Sequence, residues 1–246
     1  MYLKKIRILV SKELKDAFFS PLIYVLSGLF CFMMGWLFFN YLLQAKTLTT
    51  ATMTQAVITP IFGNINFIFV FLCPMLTMRS FAEEKKQATL DLLLRSELSE
   101  LQIILAKFIS NFILVIFMIS FTLIFPLILA FSGYSDWGVV GSSYLGVLLS
   151  IMAYLSVGLF CSSLTDNQIV ASLLTFCLLL GSMLMVITVN ASNNYLLTMI
   201  VQYMTVPFHY EGFVKGAIRS YSFVYFASYL AFFFLLTHRS LQARKW

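Results

Sequence analysis

Residues 60–107 read PIFGNINFIFVFLCPMLTMRSFAEEKKQATLDLLLRSELSELQIILAK, and the switch inside this stretch sets the fold. From Pro60 to Met78 there is no charged side chain, whereas five basic and five acidic residues lie between Arg79 and Lys107. The first part is apolar on every side and close to the roughly 20 residues that a helix needs to cross a hydrocarbon core. It reads as a membrane span, with Pro74 expected to kink it. The second part reads as a loop outside the bilayer, neutral in sum and therefore no basic patch.

The same pattern recurs on both sides. Apolar runs occupy residues 21–43, 102–131, 139–162, 168–189 and 221–238, which with 60–78 makes six spans in one transmembrane domain covering residues 1–246. Pro21 is tolerated in the first turn of span one, and Pro126 is expected to kink span three. The composition agrees, at 61% hydrophobic and only 11% charged residues, far from soluble averages. The fold class is all-α integral membrane.

Between the spans, polar segments are short. Residues 44–59 read as a short loop or helix, and 132–136 as a tight turn. Residues 164–167 return the chain at once into span five, with Asp166 placed to cap that helix. Residues 190–220 are too broken by Asn, Pro and Gly for a crossing, and read as short re-entrant or interfacial helices. Ahead of span one, Leu3, Ile6, Val10, Leu14 and Phe18 recur at helical spacing among Lys4, Arg7, Lys12 and Lys15. That is the pattern of a helix lying in the membrane interface. No small-residue cleavage site closes the first apolar run, so span one is expected to be retained.

Thirteen Lys and Arg fall before span one, in the 79–107 loop and in the tail, against only Lys46, Lys215 and Arg219 on the other side. The positive-inside rule therefore places both termini and the charged loop in the cytoplasm, as six spans require. The net charge of +6 reports topology rather than nucleic-acid binding. Membrane lipid is the implied surrounding.

Chemical machinery is sparse. There is no phosphate-binding Gly-rich loop for ATP, and Cys31, Cys73, Cys161 and Cys177 sit in spans without metal-ligand spacing. They read as small packing residues. The middles of the spans carry no charged residue of the kind on which ion-coupled carriers depend. Glu83-Glu84 with the Phe234 to His238 spacing is similar to intramembrane proteases of the CAAX type, but Ala88 stands where those enzymes have Arg. The charged loop is more informative. Leu90, Leu93, Leu94, Leu98 and Leu101 give one apolar face, with Asp91 and Arg95 able to pair opposite it. Ser99 and Gln102 form a capping-box pattern that starts the helix of span three. Such a helix rests on the membrane or docks on a partner.

Residues 81–96 (FAEEKKQATLDLLLRS), Leu98-Ser99 and Ala106-Lys107 resemble the loop of ABC-2-type transporter permeases. They are nearest the subgroup holding the gliding-motility permease and the copper-site-assembly permease of nitrous-oxide reductase systems. Residues 12–14 (KEL), 18–24 (FFSPLIY), 162–168 (SSLTDNQ), 207–213 (PFHYEGF) and the tail 244–246 (RKW) resemble the same subgroup in order. Two departures are Ala88, where the family usually has Gly, and Arg219-Ser220, where an acidic residue is common. Ala88 is read as helix-compatible.

The resemblance implies a permease subunit, with no catalytic residues and no cofactor of its own, in a bacterial inner membrane. ATP and Mg would be bound by a separate ATP-binding-cassette ATPase. It implies a second permease chain, identical or not, and export as the direction of transport. A subunit with an extracytoplasmic domain would fit the alternative, a membrane component of an ATPase-driven motility or assembly complex. Glu83, Glu84, Thr89, Leu90 and Leu93 are the implied ATPase-coupling residues; Glu84 could instead hold Lys85 or Arg79. Pro207, His209, Glu211 and Gly212 are the implied outer gate, or else a capped interfacial turn.

Overall fold

The computed structural model describes residues 2–46, 52–90, 93, 98–131, 133, 134, 136–191 and 195–243. The expected Asp91–Arg95 pair, Leu94 and the tail at 244–246 lie outside them. The described chain is all-helical, with six helices long and apolar enough to cross a membrane.

Helix α1 (Tyr2–Phe19) ends at Ser20, whose extended backbone and side chain cap the next helix by accepting from the Leu22 N–H at 3.4 Å. Pro21 then opens α2 (Pro21–Ala45) as its first residue. Part of the apolar stripe of α1 is used inside the protein: Leu9 and Val10 are buried against Ala106 at the start of span three, with Leu14 beside them. The opposite face leaves Ile8 and Phe19 exposed, in keeping with an interfacial position.

Span two begins with a wide π-helical turn (Thr54–Ile58), just upstream of Pro60, which has no N–H to offer Ala56. It continues as α3 (Thr59–Thr77), which stays helical through Pro74. After Met78, α4 (Arg79–Lys86) follows.

Helix α5 (Glu100–Ser120) starts on the expected capping box: Gln102 N–H donates to Ser99 Oγ at 3.4 Å, and Ser99 N–H to Gln102 Oε1 at 3.0 Å. The disruption expected from Pro126 appears one turn ahead of it, as a 3-10 turn over Phe121–Leu123 before α6 (Ile124–Phe131). That is where the proline ring removes the bond to the Thr122 carbonyl. Helices α7 (Trp137–Leu164) and α8 (Gln168–Ala191) form the next hairpin. Its cap is Asn167 and not Asp166: Asn167 Oδ1 accepts from the Ile169 N–H at 2.9 Å, because Asn167 is the residue immediately before the first helical turn. Two short helices, α9 (Tyr195–Met204) and α10 (Val206–Val214), precede the last span, α11 (Ser220–Gln242).

The core sits around α7, which packs against α3, α4, α5, α8, α10 and α11. In its apolar window 72% of residues are buried, against 17% for α8 and for α11, so α7 is central and those two lie at the edge. Glycine and serine make this possible. A Cβ on Gly158 would sit 2.1 Å from Thr77 Oγ1, and one on Gly146 would sit 2.5 Å from Phe213 Cβ. Ser143, Ser150, Ser156 and Ser163 are buried, and each hydroxyl donates to a carbonyl one turn back in α7. Gly158→Ala should therefore destabilise the purified protein by about 2 kcal/mol through forced separation of α3 and α7. Combining it with Thr77→Ala should restore part of the loss in a thermal unfolding assay.

Three helices end in the same six-residue motif. Gly133 at φ +88° follows α6 and Gly216 at φ +81° follows α10, each with a bond back across five residues (Tyr134 N–H to Leu129 O at 3.2 Å; Ala217 N–H to Gly212 O at 2.9 Å). Ala88 fills the same place after α4 at φ +55°, with Thr89 N–H on Glu84 O at 2.9 Å. The reading of Ala88 as helix-compatible is thus corrected: the helix has ended, and the backbone is left-handed, where a Cβ is unfavourable. Ala88→Gly should raise the thermal unfolding midpoint, with a gain of about 1 kcal/mol.

Candidate functional site

Helix α4 begins without a cap of its own, since Met78 is helical and offers no side-chain acceptor. The acceptor comes from another helix. Ser162 Oγ, near the end of α7, takes hydrogen bonds from the Phe81 and Ala82 N–H groups at 3.0 and 3.1 Å. Two orphan donors of the first turn of α4 are satisfied in this way. Next to it, the Ser163 carbonyl accepts from Lys85 Nζ of α4 and from Ser240 Oγ of α11. Ser80 accepts from Asn111 Nδ2 of α5 at 2.9 Å. Phe81 itself is fully buried.

The strongest tie is ionic. Lys107 of α5 is 1% exposed, and its ammonium lies 2.8 Å from Glu84 Oε1 of α4 and 3.0 Å from Glu13 Oε1 of α1. It also lies over the Phe81 ring at 5.3 Å. Glu84 is therefore held by Lys107, and not by Lys85 or Arg79 as the structural alternative supposed; Lys85 goes to Ser163 and Arg79 to Ser20. One buried cation joins three helices. A charge so placed tolerates desolvation only while its partners stay.

Around this triad a cavity of about 740 Å³ opens between α1, α2, α4 and α5. Glu83, Glu84, Thr89 and Leu93 line it, so four of the five expected coupling residues come together. Leu90 does not join them: it is 3% exposed and packed in the core. The residues that α4 and its terminal turn leave exposed are Arg79 at its start and Lys86, Gln87, Ala88 and Thr89 at its end. Sequence reasoning missed Lys107 and Glu13 as a pair, having used each in the resemblance and Lys107 as a charge of the loop without joining them. The available signal was its position, on the same face of α5 as buried Ile103, Ile104 and Asn111.

At the opposite end of the bundle the four expected gate residues fall in one short element. Pro207 lies in the first turn of α10. His209 is buried in an aromatic box, stacked on Tyr225 with centroids 3.9 Å apart, its Nε2 3.0 Å from the Tyr203 carbonyl and its Nδ1 3.4 Å from Ser222 Oγ. The carbonyl can only accept, so Nε2 carries the proton in the neutral ring. Burial lowers the imidazole pKa, with the Tyr203 carbonyl opposing that shift. Glu211 is exposed and pairs with Lys215, while Gly212 gives the returning Ala217 carbonyl room, 3.2 Å from where a Cβ would be. Tyr210, beside them, donates to the Phe62 carbonyl at 2.6 Å and ties α10 to α3.

His238 lies 3.1 Å from Glu100, and Glu84 is engaged with Lys107, so the structure pairs His238 with a different carboxylate from the protease-like pattern. Cys73 and Cys161 are buried, Cys31 is half-buried and Cys177 exposed, and all four are free. The arrangement is one of helices pinned at their ends.

The sequence model of the ABC-2 family transporter protein matches residues 39–236, which takes in spans two to five whole, most of span six, and helices α4 and α10. The chain belongs to the ABC-2 transporter family. No curated protein matched the chain. As an ABC-2 permease it is the membrane component of an ABC transporter and not itself the catalyst. Such permeases work with an ABC ATPase and, in general, as a dimer within the membrane.

Lys107→Met should destabilise this ABC-2 protein by about 3 kcal/mol, because it leaves Glu84 and Glu13 without their cation. Adding Glu84→Gln should recover part of that loss. A detergent-solubilised thermal unfolding series across the three proteins measures both effects.

Proposed function

We propose that α4 and the turn after it form the surface through which a separate ATP-binding-cassette ATPase drives this permease. The observation that carries the reading is the way α4 is fastened. Ser162, Asn111, Lys107 and the Ser163 carbonyl hold one side of it, while Lys86, Gln87 and Thr89 are exposed, the last two at the lining of the cavity. A push on the exposed side reaches α1, α5, α7 and α11 through side-chain bonds rather than through a loose loop. ATP-driven closure of the ATPase would then bias a two-state equilibrium of the bundle.

In this reading the α4 end, with both termini, faces the cytoplasm of a bacterial cell. ATP and Mg bind on the ATPase, a second permease chain completes the membrane unit, and the direction is export. The resemblance of the loop and of residues 162–168 to the gliding-motility and copper-assembly permeases supports a place in that subgroup. Glu83, Glu84, Thr89 and Leu93 stay as coupling residues. Leu90 supports the turn from inside.

The test avoids the buried positions. Lys86→Glu with Thr89→Arg should leave membrane insertion intact and sharply reduce recovery of the ATPase in a mild-detergent pull-down. Recovery of the ATPase at unchanged stoichiometry would remove α4 from the interface.

A further inference from the structure

A second cavity, of about 580 Å³, occupies the inside corner between α1 and α2. At 100° per residue, the α1 positions that line it lie opposite those lining the larger cavity. The two acidic residues of α1, Glu13 and Asp16, face the larger cavity together with Lys12, whereas Arg7 and Lys15 face the corner, where no carboxylate accompanies them. Arg7, Ser11 and Lys15 recur every four residues and form one exposed stripe. Beside that stripe run Leu14 and Phe18, and Tyr24 closes the corner from α2. No acidic side chain among the described residues lines it.

This chemistry is amphipathic along one direction. Two cations and a hydroxyl lie on the interfacial helix, and an aromatic and aliphatic floor leads down to the first turns of a span that starts at Pro21. Basic groups at this depth attract anionic headgroups, and the floor suits an acyl chain. We propose that the α1–α2 corner is a binding site for an anionic phospholipid of the leaflet on which α1 lies. The site rests on the membrane placement of α2 and is independent of the docking of an ATPase. An occupied site would brace α1, which holds Glu13 against Lys107 on its other side.

The experiment uses the full chain carrying Tyr24→Trp in phosphatidylcholine nanodiscs with equal fractions of brominated phosphatidylglycerol or brominated phosphatidylcholine. The readout is the extra tryptophan quenching relative to the parent chain in the same discs. Brominated phosphatidylglycerol should quench the introduced tryptophan with an apparent enrichment of roughly fivefold, as expected for about one basic contact at an interface. Arg7→Gln with Lys15→Gln should erase the difference between the two lipids. Lys5→Gln with Lys12→Gln, which removes the same charge from elsewhere on α1, should preserve it. Equal quenching by both lipids would overturn the site. So would equal loss of the preference in the two double variants, which would indicate a general surface potential. Either failure leaves the α4 docking surface untouched, since no ATPase takes part.

Discussion

In a bilayer, apolar side chains gain nothing by leaving lipid for one another, so helices associate only where their surfaces fit closely and their polar groups are satisfied. Helix α7 meets that constraint for this protein. Its Gly158 and Gly146 let α3 and α10 approach to distances that any side chain at those positions would block. Ser143, Ser150, Ser156 and Ser163 turn their hydroxyls back onto their own helix, so none of these four leaves an unsatisfied donor on its surface. The six neighbours of α7 differ in length and composition, yet each is placed by contact with it. Larger residues on α7 would leave these neighbours without a shared axis.

The two ends of the bundle solve the polar problem in different ways. At the α4 end the groups are ionic and reach across helices, with Lys107 shared between Glu84 and Glu13. At the α10 end the buried groups are neutral: His209 on a carbonyl of the preceding helix, Tyr210 on a carbonyl of α3, and Ser142 of α7 on the Phe213 carbonyl at 2.9 Å. A charged network can exchange partners when one helix moves, because its long side chains reach several positions. A set of hydroxyl and imidazole bonds to backbone carbonyls fixes one packing.

Much of this was legible in the sequence, wherever the signal was local. Span limits followed from runs of uncharged residues, and the Ser99–Gln102 capping box from a three-residue spacing. The end of α1 followed from Ser20-Pro21. What the sequence alone did not show was long-range or conformational. Ser162 reads as a small polar residue near a turn, and only the fold brings it to the first turn of α4, 80 positions away. Lys107 reads as a loop charge because nothing nearby in sequence announces its partner at position 13. Ala88 misled for a different reason: alanine favours helix, but the helix stop formed by Thr89 and Glu84 overrides that preference.

Helix α1 is the element whose sequence pattern undersold its part. As an amphipathic helix it needs only an interface, and its apolar stripe would be satisfied by lipid alone. Yet its two polar flanks are not equivalent: Glu13 and Asp16 turn toward the α4 cavity, and Arg7 and Lys15 toward the corner with α2. Lys12 shares the first flank, but both carboxylates of the helix are confined to it, and a helix that only floated on the membrane would have no reason to keep them there. Because Glu13 shares Lys107 with Glu84, any displacement of α4 alters the hold on α1, and any shift of α1 at the membrane surface alters the hold on α4. The coupling runs both ways through one ammonium group, which makes the position of α1 at the membrane surface part of the same equilibrium as the position of α4.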